Sequence, residues 1–342
     1  MNLYSAPMIK AVVNSLLLSG VLIVVMSSIS CNNHRNNPKS ETAETAEKII
    51  PAPFDADSAF SFVKKQTDLG PRVSNSSANN QCASWLENTL KRFTPEVKVQ
   101  SFDAKAYNGT ILHLKNIIGS FNPGADKRVL LCSHWDSRPY ADNDPDMANR
   151  RKPIDGANDG ASGVGVLLEI ARQLSLKSPA IGVDIVLFDG EDYGSPQDEQ
   201  SQVEDDWCLG SQYWSRNPHV PAYSARFGIL LDMVGAPSAT FTKEGVSMYY
   251  APDYVNRVWH IASQLGYDSY FVNDETSAII DDHSYINDLR QVPTLDIIHH
   301  DPTTQSSFYK YWHTLGDNIE GIDKQTLMAV GQTVLTTVYQ EK

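Results

Sequence analysis

Cysteine is scarce: four residues in 342, at Cys31, Cys82, Cys132 and Cys208, with no Cys-x-x-Cys pair. Such spacing does not read as a zinc-cysteine site or a disulfide framework; Cys82, Cys132 and Cys208 allow one disulfide or none, with buried thiols the default. Basic residues are also in the minority, 28 Lys and Arg against 41 Asp and Glu, for a net charge of −13. A body this acidic repels phosphate backbones, so nucleic acid is excluded as an expected partner. No internal repeat is present. No apolar run reaches the ~20 residues of a membrane-spanning helix. The longest, Ala11 to Met26, follows the single charge Lys10 and precedes the small residues Ser27, Ser28 and Ser30. That pattern is an export signal over residues 1–30.

Cys31 follows the signal directly, the position at which bacterial lipoproteins are cleaved and lipidated. Residues 32–53 are polar and lack apolar periodicity, as expected for a tether behind a lipidated Cys31. The expected organisation is therefore a signal peptide at 1–30, a lipidated cysteine and tether at 31–53, and a folded domain at 54–342. The expected place is the bacterial cell envelope, lipid-anchored and facing the periplasm, with the folded part a monomer.

Within the folded part, apolar spacing near 3.6 residues marks helices over Asp57–Gln66, Asn79–Phe93, Gly160–Leu176, Val255–Leu265 and Lys324–Val338. Val97–Phe102 and Leu112–Ile118 alternate as an edge hairpin. Short apolar runs at Val129–Cys132, Val183–Phe188, Phe227–Leu231 and Leu295–Ile298 are buried strands. Buried strands alternating with helices predict a single α/β domain whose central, mostly parallel twisted sheet carries helices on both faces. Sites in such sheets form at the carboxyl ends of the strands.

Each buried strand ends in acids or histidine: His134 and Asp136, then Asp189, Glu191 and Asp192, then Asp232, then His299, His300 and Asp301. Asp155 and Asp159 precede the helix that starts at Gly160, and His313 follows Trp312 near the end of the chain. Carboxylates and imidazoles converging on one sheet edge repel one another unless a cation sits among them, and mixed O and N donors suit zinc.

These residues resemble the zinc aminopeptidase superfamily, whose pattern is matched by His134-Trp135-Asp136, by Gly156 to Gly163 around Asp159, by Glu191-Asp192, by Asp232 and by His313. A nearer resemblance is to the zinc-type glutaminyl cyclases, carried by Leu187–Asp192, Ser195–Asp198, Leu230–Pro237 with Phe241, Asp281–His283, and Trp312–Asn318. The resemblance implies one zinc per chain held by Asp159, Asp192 and His313, with Glu191 as general acid/base. It implies Asp232 and Asp281 as a hydrogen-bonded acid network beside Glu191, and Trp312 and Ile279 as walls of a pocket for a glutamine side chain. The partners implied are peptides or proteins beginning with Gln, whose α-amine closes on the side-chain amide to give pyroglutamate and ammonia.

The chain departs from the cyclase pattern at three places. Asp192 stands where Glu is usual. Gly194 replaces a tryptophan before Ser195-Pro-Gln, with Trp207 the candidate substitute. The disulfide beside the His-x-Asp motif is not expected. A two-zinc aminopeptidase remains the alternative, with His134 and Asp232 as additional ligands, and a peptide-binding lipoprotein without catalysis is a third reading. His134 and Asp136 are otherwise expected to support the metal, and His283 to orient the acids. Asp142-Asn143-Asp144-Pro145-Asp146 lacks the closing Glu of a calcium loop and is expected to be solvated. Asp317 and Asn318 are expected to cap the turn after His313.

Overall fold

A six-stranded mixed sheet has the order β1-β2-β4-β3-β5-β8. The structure is a computed structural model and describes residue 51 and residues 53–196 and 198–342. The expected signal, Cys31 and most of the tether lie outside the described residues. Contacts gather these described residues into one unit. No helix among the described residues is long and apolar enough to cross a membrane.

The helices α1 (Ala56–Thr67) and α2 (Ser77–Lys91) come first. The second starts two residues before the expected Asn79 because Ser76 caps it, its side chain accepting the Asn79 N–H at 3.0 Å. The hairpin β1 (Val97–Lys105) and β2 (Ile111–Phe121) forms an antiparallel edge, and β2 continues antiparallel onto β4. Next come β3 (Arg128–His134), α3 (Ala161–Leu176) and β4 (Gly182–Phe188), the last two strands parallel. The chain then passes α4 (Leu209–Arg216) to β5 (Gly228–Asp232), which pairs with the other side of β3. A two-stranded parallel sheet, β6 (Phe241–Lys243) with β7 (Phe271–Glu275), brackets α5 (Gly245–Tyr250) and α6 (Pro252–Gln264). A short α7 (Asp282–Tyr285) leads to β8 (Thr294–Ile298), and α8 (Lys324–Gln340) closes the chain.

The period of two along each strand separates the core into two layers. Leu131, Ile185, Leu187, Ile229, Leu231, Leu295 and Ile297 share a cluster with Val63, Leu86, Val164, Val258 and Val334, so α1, α2, α3, α6 and α8 cover that face. Leu130, Cys132, Val186, Phe188 and Leu230 share the other cluster with Trp214 of α4 and with Ile286 and Val292. Helices therefore lie on both faces of a mostly parallel sheet. Cys82, Cys132 and Cys208 are free and buried.

Two glycines bring α3 against the strand ends. Gly160 has φ +89°, and a Cβ there would lie 2.8 Å from the Asp136 carbonyl oxygen and 2.9 Å from the His134 ring. A Cβ on Gly163 would meet the Leu231 carbonyl oxygen at 2.3 Å. The absence of both side chains lets the amino end of α3, with Asp159 just before it, reach the ends of β3 and β5.

Candidate metal centre

The parallel strands β4, β3, β5 and β8 deliver their carboxyl ends to one edge, with the chain crossing from β4 past β3 to β5. His134 and Asp232 are the last residues of β3 and β5, and Glu191 and Asp192 follow β4 by three and four positions. Asp281 is the N-cap of α7. His313 lies on the loop after β8 with φ +55°.

The edge holds two side-chain groups that share Asp159: Asp159 with Asp192 and His313, and Asp159 with His134 and Asp232. In the first, His313 Nε2 stands 3.3 Å from Asp192 Oδ1 and 3.6 Å from Asp159 Oδ2. Neither oxygen of the buried Asp192 carboxylate receives a hydrogen bond. Arg138 Nη1 stands 3.5 Å from Asp192 Oδ1 without bonding it; a buried carboxylate short of donors is costly unless a further cation faces it, so this O, O, N set fits a divalent metal of the zinc type. In the second group, His134 Nε2 lies 3.1 Å from Asp159 Oδ1 and 3.3 Å from Asp232 Oδ1.

Several side chains and main-chain groups hold this arrangement. The two oxygens of Asp136 accept the backbone N–H groups of Glu191 and Asp192 at 3.1 and 3.2 Å. Consecutive residues are thus fixed together, both at the cavity and only Asp192 in the triad. Asp317 does not cap its own turn as expected; its carboxylate accepts the N–H groups of Asn158 and Asp159 at 2.7 and 3.0 Å and fixes the Asp159 loop. His283 is turned by Glu244, whose Oε2 lies 3.1 Å from its Nε2. The expected hydrogen-bonded pair of Asp232 and Asp281 takes another form. Asp232 bonds His134, whereas Asp281 belongs to two other groups, one with Glu191 and Cys208 and one with His283 and Asp296.

One cavity of about 430 Å³ is lined by Asp159, Glu191, Asp192, Asp232, Asp281 and His313 together with Trp207, Ile279 and Trp312. His134 lies behind Asp159 and Asp232 rather than in the lining. Trp312 stacks on the His313 ring with centroids 3.8 Å apart, and Trp207 is parallel to the same imidazole at 6.3 Å. Burial pushes the Glu191 carboxyl well above the usual range, partly opposed by His134 and reinforced by Asp192 and Asp281. Burial likewise raises Asp232 to about 7, partly opposed by its His134 hydrogen bond.

Three contributors carried no sequence signal. The Cys208 thiol donates to Glu191 Oε1 at 3.4 Å, from a residue with φ +53°. Arg138 and Asp142 form a buried ion pair at 2.6 Å, and the expectation of a solvated loop at Asp142–Asp146 is overturned at Asp142 and Asp144, which face His313 and Leu315. The contacts of Cys208 with Glu191 and of Asp142 with His313 join residues too far apart in the chain to leave a periodicity or spacing to read. His299 is buried against Tyr309 and does not line the cavity.

Comparison with known proteins gives a consistent picture. Residues 116–338 match Peptidase family M28. The crystal structure of Tannerella forsythia glutaminyl cyclase is 55% identical, covers 85% of this chain and 100% of its own, and superposes with a TM-score of 0.83. A Zn-dependent exopeptidase from Parabacteroides distasonis is 52% identical, with 85% and 99% covered and a TM-score of 0.84. Bovine glutaminyl-peptide cyclotransferase is 28% identical over 236 residues, 62% of this chain, which spans 62% of the bovine protein's length.

Proposed function

This chain belongs to peptidase family M28, and on that basis we propose that it is a zinc-dependent glutaminyl-peptide cyclotransferase, converting an N-terminal glutamine to pyroglutamate with release of ammonia. The observation that carries the reading is the cavity itself. Glu191, the buried Asp159, Asp192 and His313, and the aromatic walls Trp207 and Trp312 all face one space of about 430 Å³. The similarity to the Tannerella enzyme supports the same reading.

Asp159, Asp192 and His313 would hold a single zinc, which supplies Lewis-acid polarisation of the substrate's amide oxygen when bound. Trp312, Trp207 and Ile279 enclose the glutamine side chain, so that its amide carbon and its own α-amine are held within reach of each other. Glu191 takes a proton from the α-amine as the bond from that nitrogen to the side-chain carbonyl carbon forms. It returns the proton to the amide nitrogen as the old carbon–nitrogen bond breaks, and ammonia leaves. Its raised proton affinity suits a group that must both accept and donate near neutral pH. Asp281 and the Cys208 thiol flank Glu191 and limit its rotation.

A second reading, a two-metal aminopeptidase, is favoured by one feature, the His134–Asp159–Asp232 group that shares Asp159 with the first. Incubating the protein with Gln-Ala and Leu-Ala dipeptides and weighing the products decides the matter. Loss of ammonia from the glutamine dipeptide alone supports the cyclase, and free leucine supports the peptidase. Metal content separates them again, at one zinc per chain or two.

Residues 1–30 and Cys31 extend the proposal to an exported, lipid-anchored enzyme at the cell envelope. Replacing Cys31 with Ala should move activity from the membrane fraction to the soluble fraction; activity that stays with the membrane refutes the anchor.

A further inference from the structure

The loop after β3 grips the His313 turn at three consecutive residues. Asp142 Oδ1 faces His313 Nδ1 at 3.3 Å. The Asn143 N–H donates to the His313 carbonyl oxygen at 3.1 Å. Asp144 Oδ2 accepts the Leu315 N–H at 3.1 Å. His313 itself has φ +55°, which a non-glycine residue keeps only where its surroundings impose it.

Arg138 stands behind the grip, 1% exposed. Its Nε and Nη2 donate to the two oxygens of Asp142 at 2.9 and 2.6 Å. Its Nη1 donates to the carbonyl oxygens of Asp192 and Gly194 at 3.0 and 3.3 Å. Its guanidinium carbon lies 4.6 Å from the centroid of the Trp207 ring.

We propose that Asp142 and Arg138 are positioning residues of the metal centre: Asp142 holds the proton of His313 on Nδ1, and Arg138 fixes Asp142, Asp192 and Trp207 to one another. The proposal rests on the reading of Asp159, Asp192 and His313 as zinc ligands. A neutral imidazole has one lone pair. With Nδ1–H turned to Asp142, the lone pair lies on Nε2, the atom that faces Asp159 and Asp192. Both oxygens of Asp142 are taken up by one planar guanidinium, so the carboxylate cannot rotate away from the ring. Because the same guanidinium holds the Asp192 backbone, the spacing between two ligands is set by one rigid group.

A buried ion pair that merely supports the fold would look similar locally, and the molecule contains one for comparison. Arg128 binds Asp184 through two hydrogen bonds of 2.6 and 2.8 Å, with Asp184 1% exposed, near the amino end of β4 and so at the far end of that strand from the site.

The test measures zinc affinity of the full chain by competition with a chromophoric chelator. The chains compared are wild type, Asp142→Asn and Asp184→Asn. Asp142→Asn should weaken zinc binding by roughly 10–100-fold, while Asp184→Asn leaves it within about threefold of wild type. Equal losses in the two variants, or no loss in Asp142→Asn, overturn the proposal while leaving the ligand assignment intact. A wild-type chain that takes up no zinc overturns the ligand assignment and this proposal with it. A second measurement avoids any folding defect: the ring nitrogen shifts of His313 in zinc-loaded wild-type protein should report a proton on Nδ1, and a proton on Nε2 overturns the proposal.

Discussion

The indole of Trp207 occupies the space that a side chain at Gly194 would need. A Cβ on Gly194 would lie 2.0 Å from Trp207 Cε2 and 2.2 Å from Cδ2. Trp207, thirteen residues further on, lines the cavity from this space, and the glycine is the condition for it. Gly194→Ala should push the indole out of the cavity. Overpacking of this kind costs about 1–3 kcal/mol, and each ~1.4 kcal/mol is tenfold. The expected result is a kcat/KM on a Gln dipeptide lower by about 10–100-fold with unchanged zinc content. Unchanged kinetics would show that Trp207 is not part of the substrate wall.

Glu191 and Asp192 are neighbours with different surroundings. Both line the cavity, but Glu191 is bonded by the Cys208 thiol, whereas Asp192 accepts no hydrogen bond and sits with Asp159 and His313. Glu191→Gln should therefore lower kcat by about 10²–10⁴ and leave metal content at the wild-type value. Loss of metal in that variant, measured by elemental analysis, would show that the two roles are reversed.

Much of this arrangement is legible in the sequence, for identifiable reasons. The strands β3, β4, β5 and β8 are buried on both faces, so their apolar runs stand out, and each stops where polar chemistry begins. His134 and Asp232 are therefore visible as strand-end residues. The three-residue strand β6 is too short to show alternation, and β7 is polar over Asn273–Glu275. Arg138 and Asp142 were not legible because their partners, Asp192 and His313, lie on other loops that only the folded sheet brings together. Asp317 was misjudged for the same reason: a local capping role was expected, and its acceptor oxygens serve Asn158 and Asp159 instead.

The Arg128–Asp184 pair predicts an acid limit to stability. Burial alone would raise the Asp184 carboxyl, but contacts with His219 and Arg128 and the Ser120 hydroxyl more than reverse this, holding it below the usual carboxylate range. A depressed native value means that its contribution is complete above about pH 4, the unfolded value, and is lost as pH falls through the native one. Asp184→Asn should lower the Tm at pH 7 and flatten the fall in Tm on acidification below pH 4. A parallel downward shift with the same acid slope would assign that slope to other groups.

Asp192 predicts a change of sign. After burial itself, the Asp159 carboxylate is a like charge that raises its proton affinity, and His313 and Arg138 oppose this only in part. With zinc bound, the two acids share a cation; with zinc stripped, they oppose folding. Zinc at 1,000 times its Kd should stabilise the wild type by about 4 kcal/mol, and a chelator should remove that increment. Asp192→Asn keeps the shape and removes one charge. It should lower the Tm in saturating zinc, because a ligand is lost, and raise the Tm in chelator, because the repulsion is lost. Paired thermal melts of the two proteins in zinc and in chelator give four values, and the prediction is that their order crosses. If Asp192→Asn is less stable in both conditions, the carboxylate is held by the protein itself and the triad with Asp159 and His313 is a hydrogen-bonded cluster and not a metal site.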